Sequence, residues 1–243
     1  MTKIRTVSDA KRKFFAHYSR PISSIYRRFV EELLVEMHLL SVNVDFEYDP
    51  IFALGIVTSF DRFMQGYQPN DQLPAIFNAL CQAADFGPDQ VKQDADKIAA
   101  SAHHISLDEW VNAAASSQSS GDNLLQNTLA QIHQRSVFKY SRLFAIGLYT
   151  LLADRDPEVT ENEEKRQDYF TKLADSLHIS LDKLAKDLDL YRSNLEKVDQ
   201  LLKVLEDAAE AERKKKAKQA EQAAAAEKPT EAAAAENSHE TST

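Results

Sequence analysis

Residues 181–209 read LDKLAKDLDLYRSNLEKVDQLLKVLEDAA and carry the strongest structural signal in the chain. Their apolar side chains recur alternately three and four residues apart through four heptads, which is the spacing of a helix that packs along a single seam. Ser180 stands directly before this stretch and can cap its first turn. We predict a long coiled-coil helix whose seam is formed by Leu181, Leu184, Leu188, Tyr191, Leu195, Val198, Leu202 and Leu205.

The composition changes after the seam. Residues 212–228, ERKKKAKQAEQAAAAEK, keep a high helix propensity but contain no large apolar side chain to bury. We predict that the helix continues to residue 228 and frays, and that the chain from Pro229 onward is disordered. The predicted organisation is therefore a helical body over residues 1–180, an arm over residues 181–228 and a disordered tail over residues 229–243.

The body shows helical spacing from its first residues. A short basic helix over residues 8–18 must stop before Pro21, because the residue preceding a proline avoids the helical region, and Pro21 is suited to begin the next helix. Asp49-Pro50 predicts the start of a third helix, which Gly66 is expected to end. In the second helix the spacing predicts a core stripe of Ile22, Ile25, Phe29, Leu33, Met37 and Leu40.

Two capping boxes mark later helices. Ser106 precedes Glu109 by three residues, and Thr160 precedes Glu163 in the same way, which is typical of a helix N-terminus. Residues 116–121, SSQSSG, contain no apolar anchor and are predicted to be a loop. Because no segment alternates apolar and polar residues as a strand does, we predict an all-α fold, a single helical bundle domain with the C-terminal arm.

Charge is distributed unevenly along the chain. The 29 lysines and arginines and the 38 aspartates and glutamates give a formal net charge of −9, which disfavours binding to nucleic acid. Residues 1–30 nevertheless hold eight cations and one anion, a local charge of +7. We predict a partner-binding patch for acidic protein loops or anionic lipid headgroups, formed by Lys11, Arg12, Lys13, Arg20, Arg27 and Arg28.

A plainer interpretation of these cations stays open. Arg27 and Arg28 each stand four residues before a glutamate, Glu31 and Glu32 respectively. An ion pair at this helical spacing contributes only about 0.2–0.5 kcal/mol and recognises no partner. In that case the basic residues form solvated faces that balance an acidic body.

The sequence offers few means of catalysis or of cofactor binding. The five glycines are too far apart for a glycine-rich phosphate loop, and neither an HExxH nor a GxSxG pattern occurs. Cys81 is the only cysteine and is expected to be a buried, inert thiol. The adjacent His103 and His104 would point about 100° apart on a helix and make a poor metal site. We therefore expect no enzyme activity, no catalytic residue, no metal and no cofactor.

No segment is predicted to enter or cross a membrane. The longest largely apolar run, residues 143–153, has 11 residues, whereas a spanning helix needs about 20. It is expected to be a buried core helix. The N-terminal sequence MTKIRTVSDAKRKFF lacks the apolar region of a signal peptide, so secretion is not expected.

Four blocks of sequence carry a resemblance to a known family. They are TVSDAKRKFFAHYSRPISSIYRRFVEELLVEMHLL at residues 6–40, YDPIFALGIVTSFDRFMQGY at residues 48–67, AIFNALCQAADFGPDQVKQDA at residues 75–95 and LDEW at residues 107–110. Together with the C-terminal coiled coil they resemble the thylakoid formation protein family, which is also described as a photosystem II biogenesis or accessory factor of cyanobacteria and chloroplasts. The resemblance covers about residues 5–205, and no shared pattern is evident from residue 208 onward.

The resemblance implies a helical, non-enzymatic factor that supports photosystem II biogenesis and repair and thylakoid membrane formation. Its implied partners are an FtsH-type membrane protease complex and photosystem II assembly or repair intermediates. Its implied location is the cytoplasmic side of a cyanobacterial thylakoid membrane, as a peripheral protein with a soluble pool. The alternative is a helical enzyme, or a pigment or cofactor carrier, with an unrecognised pocket.

The seam also leads to a prediction about self-association. Tyr191 occupies a core position of the heptad repeat, and Ala209 ends it with a small side chain. These residues make a long symmetric dimer less favourable than docking of the first half of the seam on the body. We therefore predict that the isolated chain is monomeric.

Overall fold

Capping side chains account for most of the points at which the helices begin. In the computed structural model, which describes residues 5–116 and 122–226, the Asp49 carboxylate accepts a hydrogen bond from the Phe52 amide at 2.8 Å, and Ser106 and Glu109 form the predicted capping box. The helices of these residues are α1 (Val7–His17), α2 (Ser24–Ser41), α3 (Pro50–Phe63), a 3₁₀ turn (Asn70–Gln72), α4 (Leu73–Ala83), α5 (Pro88–Ala102), α6 (Leu107–Ala114), α7 (Leu124–Gln134), α8 (Arg142–Arg155), α9 (Glu158–Glu161), α10 (Glu163–Ser176) and α11 (Leu181–Ala226).

The predicted all-α fold is confirmed, since the residues that the structure describes contain helices and no strand. The centre of the fold is α3, which packs on two sides. Phe52 and Ile56 belong to one hydrophobic cluster with α1, α2 and α4, whereas Ile51 and Leu54 belong to a second cluster with α5, α7, α8 and α10. A helix enclosed in this way needs apolar side chains around its whole circumference, which explains the run IFALGIV at residues 51–57.

Two glycines bring α3 and α8 into backbone contact. A Cβ atom on Gly55 would lie 1.8 Å from the carbonyl oxygen of Leu143, and one on Gly147 would lie 2.0 Å from the carbonyl oxygen of Ile51. The pairing of residue 55 with 143 and of residue 51 with 147 means that the two helices run antiparallel. Because each helix places a carbonyl where the other would need a methyl group, only glycine fits at these two positions.

The start and the phase of the second helix differ from the prediction. It begins at Ser24, and Pro21 and Ile22 lie in the extended segment before it. The predicted stripe starts at Ile22, which lies before the helix and still packs against the first cluster, and Phe29 is half-buried against Phe63, so the predicted phase fails at Ile25. Ile25 is accordingly 37% exposed, while the Tyr26 ring is buried edge-on against Tyr67 at 5.2 Å. The buried side consists of Tyr26, Val30, Leu33, Leu34, Met37, His38 and Leu40.

The start of α10 differs from the prediction, whereas the end of α3 lies close to it. Asn162 caps α10 by accepting a hydrogen bond from the Lys165 amide at 2.9 Å, so the capping box predicted at Thr160 is wrong. The reason is that residues 158–161 already form the short helix α9. The third helix ends at Phe63, and Gly66 follows it with a left-handed φ of 73°, close to the predicted stop. Of the predicted loop at residues 116–121, only residue 116 lies among the described residues.

The chain divides into two compact units, Met1–Val198 and Asp199–Thr243. In the first unit the predicted seam residues Leu184, Leu188, Tyr191 and Val198 are buried. The first turns of α11 thus contribute to the core of the first unit, and the two compact units divide after residue 198, whereas the predicted arm begins at residue 181.

The second unit is described up to Ala226 and is helical throughout that range. Leu205 is 44% exposed there, and two ion pairs join side chains four residues apart, Glu210 with Lys214 and Glu212 with Lys216. Pairs of this spacing support a helix that has little apolar surface to bury. The predicted disordered tail, residues 229–243, lies outside the described residues.

Candidate functional site

A groove with a volume of about 840 Å³ follows one side of α2. The α2 residues that line it include Arg28, Glu32, Val35 and Leu39, which are spaced three or four residues apart and therefore form one stripe of the helix. Lys11 of α1 lies beside this stripe. The opposite side is lined by the segment that leads into α8 and by the beginning of α11.

Two ion pairs hold the opposite wall in place. Nε of Arg142 lies 3.1 Å from a carboxylate oxygen of Glu36, and Nε of Arg135 lies 2.9 Å from a carboxylate oxygen of Glu47. Residues 135–142 are thereby fastened at both ends beside the second half of α2 and the turn that follows it. Burial raises the pKa of Glu36, and the nearby Arg142 guanidinium opposes this rise.

Cations gather beside the first half of α2, but each has a partner. Glu31 accepts hydrogen bonds from Nζ of Lys11 at 2.6 Å and from Nε of Arg27 at 2.7 Å, and both bonds lower the pKa of its carboxyl group. Nε of Arg28 donates to its neighbour one turn along, Glu32, at 2.9 Å. Arg27 and Arg28 therefore form the ion pairs four residues apart that the plainer interpretation expects.

Only three of the six residues of the predicted basic patch line the groove. Lys11, Arg27 and Arg28 line the groove, whereas Arg12 pairs with Asp9, Lys13 pairs with Asp85, and Arg20 is exposed and makes no ion pair with any described residue. Consecutive helical residues point about 100° apart, so the three neighbouring cations at residues 11–13 cannot all face one surface.

Two cations on the opposite wall were missed in the sequence. Lys139 and Lys183 line the groove, and neither makes an ion pair within the described part of the chain. Nζ of Lys183 lies 4.9 Å from the centre of the Tyr140 ring, and the Tyr140 hydroxyl donates to Asp187 at 2.9 Å. Burial is the main cause of the raised pKa of Tyr140. No local pattern could have identified these lysines, because only the tertiary fold brings them to α2.

The groove becomes apolar toward the end of α2. Val35, Leu39 and Leu40 line this part, and the Leu39 side chain is 54% exposed. Val42 and Val137, which are also exposed, lie on the two segments that the Arg142–Glu36 and Arg135–Glu47 pairs fasten together. A surface that combines charged and apolar side chains in this way is suited to binding another molecule.

Cys81, His103 and His104, the side chains with catalytic or metal-binding potential, do not line this groove. Cys81 is buried, as predicted, and burial raises the pKa of its thiol to about 12, which keeps it protonated and unreactive. Over residues 5–116 and 122–226, no three His, Cys, Asp or Glu side chains converge as a metal would require. None of the described helices has both the length and the apolar character needed to cross a bilayer.

Comparison with known proteins agrees with this fold. The model of the thylakoid formation protein family matches residues 6–220. Protein Thf1 of Synechocystis sp. is 82% identical over 219 residues, which cover 90% of this chain and 91% of that protein, and Protein Thf1 of Crocosphaera subtropica is 57% identical over 90% of each. A solved structure of Psb29 is 45% identical and superimposes with a TM-score of 0.76 over 88% of this chain and 100% of its own. The family match extends beyond residue 205, into the charged part of α11.

Proposed function

Since the chain belongs to the thylakoid formation protein family, we propose that it is a non-enzymatic, thylakoid-associated factor for photosystem II biogenesis and repair. It supports formation of the thylakoid membrane and acts as an adaptor or stabiliser of an FtsH-type membrane protease complex. Photosystem II assembly or repair intermediates are its second class of partner. The similarity to proteins named Thf1 and Psb29 supports this assignment of process.

The observation that carries the adaptor role is the groove along α2. Its walls combine paired charges, the unpaired lysines Lys139 and Lys183, and an exposed apolar surface at Leu39. Protein-binding surfaces have this mixed character, whereas an active site brings together a nucleophile, a base and groups that stabilise developing charge. The groove is therefore better suited to holding a protein than to transforming a substrate.

We place the protein on the cytoplasmic side of the membrane as a peripheral component with a soluble pool. The basic N-terminal segment supports this placement, because Arg12 and Arg20 have exposed side chains that can approach anionic headgroups. Each cation close to such a surface contributes about 1 kcal/mol. The contact is thus electrostatic and reversible.

The experiment that tests the function is affinity purification from a cyanobacterium. A tagged form of the chain is purified from thylakoids after gentle solubilisation, and the proteins that elute with it are quantified by mass spectrometry against an untagged strain. We expect enrichment of FtsH-type protease subunits and photosystem II proteins. Absence of both would contradict the proposal, and stoichiometric pigment in the purified protein would favour a carrier instead.

A further inference from the structure

The α2 groove is polarised along its length. In its first half Lys11, Arg27 and Arg28 surround two carboxylates, and in its second half the apolar side chains of Val35 and Leu39 stand beside the Glu36–Arg142 ion pair. A binding partner that follows the groove must therefore present two kinds of surface in sequence.

The net charge of the groove determines which charge a complementary partner must carry. Six cations but only three carboxylates line it, and Glu31, Glu32 and Glu36 are all ion-paired within the protein. Asp187 is engaged by the Tyr140 hydroxyl at the opposite wall. Positive charge remains at Lys139 and Lys183 on the opposite wall, so the complementary partner is acidic.

The length of the groove defines the size of the partner. The lining residues of α2 extend from Ser24 to Leu40, which corresponds to about 24 Å along a helix axis at 1.5 Å per residue. A second helix of four to five turns matches this length, and helices dock in such grooves through side chains spaced three or four residues apart. Three carboxylates line the groove and would lie against the headgroups of an anionic bilayer, which disfavours a lipid surface as the occupant.

We propose that the α2 groove docks an acidic amphipathic helix of a partner protein. Apolar side chains of that helix pack against Val35 and Leu39, and its carboxylates pair with Lys139 and Lys183. This inference rests on the proposed adaptor function and adds the surface and the chemistry by which the adaptor recognises its partner.

Site-specific cross-linking locates the contact. The photo-reactive residue benzoylphenylalanine replaces Leu39 in one strain and Leu190 in another; Leu190 is a matched control, since it is 46% exposed but does not line the groove. After irradiation of intact thylakoid membranes, mass spectrometry identifies the attached peptide. We expect attachment at position 39 to a segment with apolar residues at three- or four-residue spacing and a surplus of carboxylates. Attachment to lipid, to a basic segment, or equally at both positions would overturn the inference.

A binding measurement with the identified segment completes the test. The synthetic peptide of that segment is titrated against the purified full chain and against Leu39→Glu and a Lys139→Glu/Lys183→Glu double variant. We expect each variant to bind at least about tenfold more weakly. Leu190→Glu and Lys97→Glu, at exposed residues outside the groove, are the controls and should stay within about twofold of the unmodified protein, with unchanged circular dichroism for all variants.

The outcomes separate the groove from the function. If the tagged protein still co-purifies with the protease complex but position 39 yields no peptide cross-link, or the peptide binds all variants equally, the groove proposal is wrong and the adaptor function stands. If the unmodified protein co-purifies with neither partner class, the function itself fails. Loss of binding to phosphatidylglycerol vesicles in the same variants, without loss of peptide binding, would assign the groove to lipid and overturn the proposal.

Discussion

Gly55 and Gly147 set the distance between the two central helices, α3 and α8. Each occupies a position at which a Cβ atom would collide with a carbonyl oxygen of the other helix. Backbone atoms cannot move aside as a flexible side chain can, so a methyl group at either position forces the helices apart. The requirement for glycine here is one of space rather than of backbone conformation.

We expect Gly147→Ala to lower the free energy of unfolding by about 3 kcal/mol or more, because separating α3 from α8 disturbs both hydrophobic clusters. Urea denaturation followed by circular dichroism measures the change. Gly87→Ala is the matched control, since a Cβ atom there would lie 3.6 Å from its nearest neighbour, an ordinary contact. Equal denaturation midpoints for the two variants would show that the close approach is not required.

Asp49 is a buried helix cap whose ionisation opposes folding. Burial raises the pKa of this carboxyl group from its ordinary value of 3.8 to about 6. Between these two values the folded protein retains a proton that the unfolded chain has already lost, so stability falls as the pH rises through this window.

Asp49→Asn should remove this pH dependence, because the amide oxygen can still accept the hydrogen bond from Phe52 but cannot ionise. Between pH 4 and pH 6.5 we expect the unmodified protein to lose about 2 kcal/mol relative to the variant. Parallel denaturation series across this range measure the difference, with Asp45→Asn as an exposed control. A constant difference between protein and variant would mean that Asp49 ionises normally.

At the scale of elements, α11 contains two kinds of seam. Leu188 belongs to the core of the first unit, whereas Leu205, in the second unit, is substantially exposed. The heptad spacing is the same at both residues. Periodicity therefore predicts which residues form the seam, but it does not predict where along the seam the side chains cease to be buried.

Leu188→Asp should lower the free energy of unfolding by about 3 kcal/mol or more, since it places a carboxylate in an apolar cluster. Leu205→Asp should change it by no more than about 0.5 kcal/mol, as for most exposed sites. Thermal denaturation of the two variants measures the contrast. A comparable loss at Leu205 would reveal a partner for the second half of the seam in solution.

Local signals in the sequence predicted the elements well, whereas contacts between distant residues were beyond reach. The Asp49 cap and the Ser106 capping box involve atoms three residues apart, so the sequence alone contains both partners. The groove, in contrast, depends on Lys139 and Lys183, more than ninety residues from α2. The basic patch was predicted from proximity in sequence, but the rotation of successive helical residues directs Arg12 and Lys13 elsewhere, and Arg20 lies in the segment between α1 and α2.

At the scale of the whole molecule, the charge distribution leads to a prediction about the membrane. Washing thylakoid membranes with 1 M salt should release the protein, because the Debye length falls from about 10 Å at 0.1 M to about 3 Å at 1 M. Immunoblots of the supernatant and the pellet measure the release, with an intrinsic photosystem subunit as the control that stays in the pellet. Release by detergent alone would contradict an electrostatic attachment.

The antiparallel contact between α3 and α8 also has a consequence for synthesis on the ribosome. Gly147 is translated 92 residues after Gly55, so at about 5–20 residues per second the nascent chain waits roughly 5–20 s for the helix that covers Ile51 and Leu54. During that interval the side of α3 that carries Ile51 and Leu54 lacks the α8 residues against which it packs in the folded protein. We therefore expect the yield of folded protein in the cell to depend on chaperones that bind nascent chains and on the rate of elongation between these two codons.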